Sequence, residues 1–462
     1  MTTPSNGQDS QKSAPTNGHK APVEGLDPDR RNEVYEQAKR ADYEIPKLQS
    51  APMSELMQTA REAGVESIVG LTKQELIYEI LRTKVTSRGL GWGEGTLDIL
   101  PDGFGFLRSK RFNYLAGPDD IYVSPSQIRR LNLKQGHELA GPVRPPKDGE
   151  KYFALLHVEA VDGEPVESLR KRIPFDDLTP LFPFERLVLD HETSGLDIRL
   201  IDLLAPMGRG QRTLVLAPPH SGRNNFLVNL ASSILAGNED LYVILLLLDE
   251  RPEEITEAVR KTGPDLRREV VASTFDEPAS RHVALAEMAV MKARRMVESG
   301  RHVALLVDSL TSLVRAYNQE VPHTGKILAA GLDAAALQEP KKLLGAARTV
   351  EEGGSLTVIA TASTDTESRG DRIIADEFRG KGNCEVVFDA HLASLHVYPA
   401  VDVFATGTRR EDALLSAEDV ARLRNLRNEI DQGSLQESLE LALDRVKNTT
   451  SNRDLLDDIP VS

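Results

Sequence analysis

Cysteine and long apolar runs are scarce in this sequence. The single cysteine, Cys384, excludes an internal disulfide and a cysteine-rich zinc site. No run of about eighteen apolar residues occurs, so we expect no membrane-spanning helix and no membrane partner. The first residues, MTTPSNGQDSQKS, have no apolar core segment, so we expect no secretory signal. These absences together favour a cytoplasmic protein.

An excess of positive charge is also missing. The chain carries 56 Lys and Arg residues against 71 Asp and Glu residues, a net charge of −15, which argues against a general nucleic-acid binder. Residues 91–160 escape this acidic excess, with nine basic and nine acidic residues, whereas residues 430–462 carry three basic and seven acidic residues. The charge balance therefore leaves room for a local basic surface in the first of these segments.

Composition and residue periodicity divide the chain into four predicted parts. Residues 1–50 are rich in Ser, Pro, Gly and Asn and are predicted to be disordered, because such a composition buries too little apolar surface to fold. In residues 51–88, apolar residues spaced along one helical face predict a small helical unit. Residues 89–165 contain short strand-like runs between Gly, Pro and Asp turns, which predicts a small antiparallel β-barrel.

The fourth part, residues 166–462, is predicted to be an α/β domain with a C-terminal helical region. Apolar strands alternate with helical stretches there, and the strands are predicted at 213–217, 241–248, 302–307 and 356–362. Such alternation predicts a parallel sheet, which binds its ligands at the carboxyl ends of the strands. The fold class is therefore multidomain, with α+β and α/β parts.

A pair of aromatic residues dominates the predicted barrel. Phe104 and Phe106 are two apart in the run DGFGFLR, so both rings are expected on one strand face, with Arg108 on the same face. Flat rings between glycines can stack on unpaired bases, which favours single-stranded RNA over a duplex. The alternative is that both rings belong to the barrel core. The basic residues that follow, and the aromatic residues Tyr122 and Tyr152, favour RNA binding.

The run LVLAPPHSGRNN, residues 214–225, has the position of a phosphate-binding loop, because it follows an apolar strand and opens a helix. Such a loop works through backbone N–H groups, a helix N-terminus, a lysine and a hydroxyl that ligates Mg²⁺. Arg223 and Asn224 stand here in place of that Lys and Thr. Arginine keeps the charge but not the compact shape of an ammonium group, and asparagine removes the hydroxyl. The two residues predict weakened nucleotide binding and reduced hydrolysis.

Acidic residues follow two apolar strands of the predicted sheet. Glu250, in the run DER, can polarise an attacking water, and Asp308 has the position of an acid that holds Mg²⁺. Arg409 can present its guanidinium to the phosphate of a neighbouring subunit. The alternatives are solvated strand-end caps for the acids and an ordinary surface arginine. Two acids at adjacent strand ends favour the catalytic interpretation.

With these motifs in place, the chain resembles the Rho family of transcription termination factors from about Leu48 to its C-terminus. The segments LDILPDGFGFLRS, DERPEEITE, VVASTFDEPASRHV and GAARTVEEGGSLTVIATA are close to Rho sequences. The resemblance implies a five-stranded barrel of the OB or cold-shock type and a RecA-like ATPase domain. It also implies a homohexameric ring, RNA-dependent ATP hydrolysis, translocation along nascent RNA, and release of that RNA from RNA polymerase.

The resemblance assigns candidate site residues by position. The predicted ATP-binding residues are Gly208, Arg209, Gly210, Gln211, Arg212, Thr213, His220, Ser221, Gly222, Arg223, Asn224, Asn225 and Arg251. The predicted catalytic residues are Glu250, Asp308 and the arginine finger Arg409, and the candidate Mg²⁺ ligands are Asn224 and Asp308. The predicted RNA-binding residues are Gly103, Phe104, Gly105, Phe106, Leu107, Arg108, Asp120, Ile121, Tyr122, Arg130, Glu150, Lys151, Tyr152, and the pore residues Lys326 and Arg369.

Departures from the Rho pattern cluster around the predicted motor. Besides the two loop residues, alanines replace a Thr and a Gly of the RNA-gripping pore loop, and other residues replace three basic residues that link pore and ATP site. These positions are Ala329, Ala330, Ala390, Leu395 and His396.

Three functions are consistent with the sequence. The first is a Rho-type termination factor that hydrolyses ATP in an RNA-dependent manner. The second is a Rho-like RNA-binding paralogue with little or no ATPase activity, which modulates or assembles with an active Rho chain. The third, a generic single-strand RNA-binding protein, leaves the α/β domain unexplained. The intact acids Glu250 and Asp308 favour the first function, whereas Arg223 and Asn224 favour the second.

Overall fold

The computed structural model describes residue 48, residues 51–65, scattered residues between 68 and 84, and residues 91–461 without 118, 148, 266, 323, 324 and 432. The extension 1–50, predicted to be disordered, lies outside the described residues except for Leu48. In the predicted helical unit, helix α1 (Met53–Ala63) packs in an apolar cluster with Leu76, Ile77 and Ile80. Within the described part of the chain, no helix is both long and apolar enough to cross a membrane.

The small β-domain is a barrel that closes on itself. Its strands are β1 (Gly91–Ile99), β2 (Gly105–Arg108), β3 (Ile121–Val123), β4 (Glu138–Arg144), β5 (Phe153–Leu155), β6 (Ala160–Val161) and β7 (Glu164–Pro165), with helix α2 (Pro125–Leu131) after β3. The order is β1-β2-β3-β5-β4, and β4 pairs back with β1, so five strands close the predicted barrel. One difference from the expected antiparallel arrangement is that β3 and β5 pair in parallel.

Strand β2 separates the barrel core from an exposed aromatic face. Leu107 is buried in the core, and because successive residues of a strand face opposite sides, Phe106 and Arg108 share the other face. Gly105 lies where a Cβ atom would be 2.7 Å from the Leu97 Cδ1 atom and 2.9 Å from the Asp98 carbonyl oxygen. The glycine between the two aromatic rings is therefore required by the close approach of β1.

The C-terminal half contains the predicted parallel sheet. Its strands are β8 (Pro180–Leu181), β9 (Arg212–Ala217), β10 (Leu241–Glu250), β11 (Arg268–Thr274), β12 (His302–Asp308), β13 (Arg348–Val350), β14 (Ser355–Ser363), β15 (Cys384–Val387) and β16 (Gly407–Thr408). The parallel strands have the order β11-β10-β12-β14-β9-β15, and β16, β13 and β8 pair antiparallel at the margins. All four strands predicted from the sequence are in the parallel part.

Helices cover both faces of this sheet. They are α3 (Leu196–Leu204), α4 (Arg223–Gly237), α5 (Pro252–Lys261), α6 (Ala279–Glu298), α7 (Leu310–Glu320), α8 (Gln338–Gly345), α9 (Arg369–Phe378), α10 (Ala390–Ser394), α11 (Ala417–Ile430), α12 (Leu435–Lys447) and α13 (Asn452–Asp457). Residues of β9 alternate between two apolar clusters, one with α3, α4 and the C-terminal helices and one with α6 to α9. This is the three-layer packing expected for an α/β domain.

A buried polar cluster joins the barrel domain to the α/β domain. Lys292 of α6 lies 2.7 Å from the carboxylate of Glu269 on β11, and both side chains are almost fully buried. The Tyr114 hydroxyl, from the loop after β2, donates to the same carboxylate. Asn113 accepts a hydrogen bond from the backbone of Ala272 at 3.2 Å. The two domains are therefore held together by specific polar contacts as well as apolar packing.

Candidate nucleotide-binding and RNA-binding sites

Four parallel strands end around one open cavity of about 860 Å³, a volume typical of ligand pockets. The loop after β9, the end of β10, the residues after β12 and the end of β14 all contribute to its wall. The lining residues are Pro218, Pro219, His220, Ser221, Gly222, Arg223, Asn224, Asn225, Val228, Asp249, Glu250, Arg251, Glu254, Glu257, Ala258, Lys261, Phe275, Ser309, Thr311, Ser312, Arg315, Ser363, His396 and Tyr398.

The loop between β9 and α4 has the shape of an anion-binding turn. Gly222 is the N-cap of α4 with φ 83°, a left-handed conformation that glycine adopts without strain. The Ser221 hydroxyl donates to the Pro218 carbonyl at 2.8 Å, and the Tyr398 hydroxyl donates to the His220 carbonyl at 3.2 Å. These contacts leave the first backbone N–H groups of α4 facing the cavity, which suits a phosphate group.

Arg223 points into the cavity floor between the two predicted catalytic acids. Its Nη2 atom lies 3.2 Å from Asp308 Oδ1 and 3.7 Å from Glu250 Oε1. Its Nη1 atom donates to the Ser363 hydroxyl at 3.1 Å. The side chain of Asp308 is 1% exposed and that of Glu250 is 10% exposed, so their charges are only weakly screened by water. The guanidinium therefore lies beside two buried carboxyl groups of its own chain.

Asn224 is tied to the same acids by its amide. The Nδ2 atom donates to Glu254 Oε2 at 2.6 Å and to Glu250 Oε2 at 3.3 Å, while the Oδ1 atom accepts from Arg223 Nε at 3.3 Å. The carboxylates fix which end of the amide faces them, because only the nitrogen can donate. The amide oxygen is thereby turned toward the guanidinium rather than toward open space.

The protonation of Glu250 is strongly perturbed. Burial raises its pKa to about 9, with help from the hydrogen bond to Glu254 and from the nearby charge of Asp308, and Arg223 opposes this rise. A carboxyl group with such a pKa is mostly protonated at neutral pH.

These residues fit a nucleotide better than they fit a magnesium ion. The turn, the start of α4 and Arg223 offer donors to phosphate oxygens. Of the two predicted Mg²⁺ ligands, Asn224 directs its oxygen to Arg223, and Asp308 Oδ1 accepts from the Thr361 hydroxyl at 2.7 Å. Asp308 Oδ2 is buried without a hydrogen-bond partner, so one oxygen of these two residues is left for Mg²⁺, which fills most of its shell with water and phosphate oxygens. That oxygen belongs to a carboxylate that Arg223 Nη2 already approaches at 3.2 Å.

The structure does not bring all predicted nucleotide-site residues to this cavity. Residues 208–213 lie at the opposite, amino end of β9. There Arg209 pairs with Asp240 at 2.5 Å, and Gly210 donates its N–H to the Thr357 hydroxyl at 2.8 Å. Arg409 is exposed after β16, and its guanidinium donates to the Gly380 carbonyl at 2.9 Å. Within one chain these residues are therefore separate from the phosphate loop.

The predicted RNA platform forms a cluster of four rings on the barrel. Phe104 lies 5.8 Å from Phe106 and 5.8 Å from Tyr122, measured between ring centroids. Phe106 lies 6.1 Å from Tyr122 and 4.8 Å from Tyr152. All four side chains are partly exposed. The rings are therefore outside the barrel core and open to stacking, as the spacing of Phe104 and Phe106 predicts.

Arg108 is placed differently from expectation. We expected a guanidinium free to meet phosphate, whereas Arg108 is buried, with Nε 3.0 Å from Asp98 and Nη1 paired with Asp120. Its guanidinium carbon lies 5.1 Å from the Phe106 ring centroid. Two adjacent carboxylates hold the charge in place, so Arg108 supports the ring cluster from below. Glu150 is likewise paired, since a hydrogen bond from Arg144 lowers its pKa to about 2.

The remaining predicted RNA-binding residues of the barrel domain lie either next to the ring cluster or away from it. Ile121 is half-buried next to Tyr122, and Lys151 is exposed next to Tyr152. Arg130, on α2, lines a separate cavity that also contains Lys134 and Arg170.

The predicted pore residues lie on the α/β domain. Lys326 is exposed, and Arg369 begins α9 beside Ala330, with which it lines a shallow cavity of about 300 Å³. Arg315 lines both this cavity and the nucleotide cavity, and it pairs with Asp371 at 2.6 Å. Helix α7 therefore contributes Arg315 to both predicted sites within the chain.

Comparison with known proteins agrees with these two sites. Residues 47–89 match the N-terminal domain of Rho termination factor, residues 93–167 match its RNA-binding domain, and residues 197–407 match the nucleotide-binding domain of the ATP synthase alpha/beta family. The chain is 47% identical to transcription termination factor Rho of Rhodopirellula baltica over 423 residues, covering 91% of this chain and 82% of the relative. The chain belongs to the Rho family.

Other Rho relatives match over nearly their whole length. Transcription termination factor Rho of Chromobacterium violaceum is 48% identical over 413 residues, and that of Pseudomonas aeruginosa is 46% identical over 416 residues. Each match covers 89% of this chain and 98% of the relative. An RNA-binding domain and a nucleotide-binding domain are thus both present, as the Rho resemblance implies. A generic RNA-binding protein does not account for the second.

Sequence reasoning missed several residues of the cavity in this Rho-family chain. Glu254, Phe275, Ser363 and Tyr398 line it, and Glu254 and Ser363 hydrogen-bond the two loop residues. Each comes from an element remote from the loop in sequence, so only the sheet topology brings them together. His396 was noted as a departure from the Rho pattern, and it proves to line the cavity beside Tyr398 at 6.4 Å between rings.

Proposed function

We propose that this chain is a Rho-type transcription termination factor. It binds nascent single-stranded RNA on the four-ring cluster of the barrel and ATP in the cavity of the α/β domain. RNA-dependent ATP hydrolysis then moves it along the RNA and releases the RNA from RNA polymerase. The observation that carries this proposal is the convergence of the loop and Glu250 on one cavity, with the buried Asp308 3.2 Å from Arg223, in a chain whose ring cluster is partly exposed.

The proposed active form is a homohexamer in the cytoplasm. Arg409 is exposed and outside its own cavity, as expected for a residue that reaches the phosphate of a neighbouring subunit. Lys326 and Arg369 are proposed to grip RNA in the central pore of the ring. A different Rho chain is proposed to occupy some of the subunit positions in the same ring.

The proposed rate of ATP hydrolysis is lower than the rate of a chain with Lys and Thr at positions 223 and 224. Arg223 lies beside Glu250 and Asp308, and the Asn224 amide donates to Glu250 and Glu254. A catalytic carboxylate held in this way, and protonated at neutral pH, is a poor base for water.

The experiment that tests this function measures RNA binding and ATP hydrolysis by the purified full-length chain. Pyrimidine-rich single-stranded RNA should bind and should raise the rate of ATP hydrolysis, and Glu250→Gln should abolish that rise without affecting RNA binding. RNA binding without any stimulated hydrolysis would instead support the paralogue that modulates an active Rho. That alternative is the less favoured one, because identity to termination factors extends through the nucleotide-binding domain. Absence of RNA binding would contradict both.

A further inference from the structure

We propose that the Arg223 guanidinium takes over the charge role of the divalent cation, so that the cavity binds ATP without Mg²⁺. This inference rests on the proposed function, since it presumes that ATP occupies the cavity. It departs from the metal-dependent arrangement that a phosphate loop with Lys and Thr would use.

The first support is the position of the positive charge. Arg223 Nη2 is 3.2 Å from Asp308 Oδ1 and 3.7 Å from Glu250 Oε1, which are the two acids at the ends of β12 and β10. In a metal-dependent site these acids would face a cation through its water shell. Here the positively charged guanidinium of Arg223 already lies beside both acids. A second, divalent cation placed beside it would meet strong repulsion at the low effective dielectric of a cavity floor.

The second support is the loss of the inner ligand. The residue at position 224 would supply a hydroxyl oxygen to the metal in a loop with Thr. Asn224 instead donates its amide to Glu254 at 2.6 Å and turns its oxygen toward Arg223 Nε at 3.3 Å. Both substitutions disfavour a bound metal ion. Asn224 removes the oxygen ligand, and its amide oxygen helps to hold the Arg223 guanidinium where the metal would be.

The third support is the donor capacity that Arg223 retains. A guanidinium has five N–H donors, and its fork matches two oxygens of a phosphate. Three donors are directed at Asn224, Ser363 and Asp308. Because the Nη2 atom also lies 3.7 Å from Glu250 Oε1, one N–H of Nη1 remains for a phosphate oxygen. Arg223 can therefore bridge the acids and the phosphates, which is the electrostatic task of the metal.

The test is equilibrium binding of ATP to the full-length chain in EDTA and in excess MgCl₂. Mg²⁺ chelates ATP in solution, so the wild-type chain should bind equally well or more weakly when Mg²⁺ is added. In R223K/N224T, which restores the compact ammonium and the hydroxyl, Mg²⁺ should tighten ATP binding by at least about tenfold. Arg260→Lys, an exposed change on α5 outside the cavity, is the matched control and should keep the wild-type response.

The possible results separate the inference from the proposed function. Tightening of wild-type ATP binding by Mg²⁺ of more than about threefold would overturn the inference and leave nucleotide binding standing. Absence of ATP binding to the wild type in both conditions would overturn the proposed function and the inference with it. The wild-type measurement decides the question even if R223K/N224T fails to fold.

Discussion

The side chains of Arg223 and Asn224 determine the chemistry of the nucleotide cavity at the scale of single residues. Together they contact Glu250, Glu254, and Asp308. A lysine in place of Arg223 would carry one compact charge instead of the planar guanidinium, so it could not make the same set of contacts with the acids. The consequence reaches beyond the loop, because Arg223 opposes the rise in pKa that burial causes at Glu250.

The raised pKa of Glu250 predicts a pH dependence. Its pKa of about 9 keeps the carboxyl neutral at pH 7, and a general base must be deprotonated. The rate of RNA-stimulated ATP hydrolysis should therefore rise with pH, roughly tenfold per unit up to about pH 9. Initial rates between pH 6.5 and 9.5 in buffers of constant ionic strength measure this. A flat profile over that range would show that Glu250 does not limit the reaction.

The ring cluster predicts a specific loss of RNA affinity. Phe106 contacts three of its neighbours, Phe104, Tyr122 and Tyr152. Phe106→Ala should weaken binding of single-stranded RNA by about 1–3 kcal/mol, the contribution of one stacked base. Filter binding or fluorescence anisotropy at fixed salt measures the change. Phe112→Ala removes an aromatic ring of the same domain that is 57% exposed, and it should change the affinity little. Equal losses in both variants would count against a stacking platform.

Residue-level prediction from the sequence succeeded where one short motif carries the chemistry. The loop, Glu250 and Asp308 were each recognisable at the end of an apolar strand, and the structure places them within a few ångströms of one another. The pairing of Arg108 with Asp98 and Asp120 was not foreseen, because it depends on the register of β1, β2 and β3.

At the scale of elements, strands with long apolar runs were predictable, whereas a strand that contains both Gly and Pro was not. The parallel strands β9, β10, β12 and β14 are nearly continuous apolar runs, since both of their faces are covered by helices. Strand β4, with the sequence ELAGPVR, contains Gly and Pro and was not predicted, although it closes the barrel by pairing with β1. Gly and Pro are depleted in strands, so the local sequence does not predict a strand here. The pairing with β1 nevertheless makes this segment a strand.

The buried ion pair of Lys292 with Glu269 predicts a large effect on the thermal stability of the chain. Lys292→Met would leave Glu269 buried without its cation, and breaking a buried pair in this way costs about 3–5 kcal/mol. The midpoint of thermal unfolding should fall clearly, as measured by calorimetry. Lys342→Met removes an exposed pair with Glu339, whose side chains are 65% and 46% exposed, and should cost less than about 1 kcal/mol. A similar midpoint for both variants would mean that the buried pair of Lys292 and Glu269, which lies within the α/β domain, does not stabilise the fold.

At the scale of the whole molecule, the proposed ring shares each active site between two subunits. Chains with Glu250→Gln lack the base but keep Arg409, and chains with Arg409→Ala lack the finger but keep the base. Each variant alone should be inactive in RNA-stimulated hydrolysis, and rings formed from a mixture should regain part of the activity, because some interfaces join an intact base to an intact finger. Mixtures with no more activity than either variant would place Arg409 outside the shared site.

The central claim is that Arg223 and Asn224 limit a motor that is otherwise of Rho type. The most direct measurement compares the rate of RNA-stimulated ATP hydrolysis by the wild-type chain with that of R223K/N224T, at saturating RNA and ATP. The predicted result is a detectable wild-type rate and a rate at least about tenfold higher in the double variant, a lowering of the barrier by about 1.4 kcal/mol or more. A wild-type rate equal to or higher than that of a folded, ATP-binding R223K/N224T chain would contradict the claim.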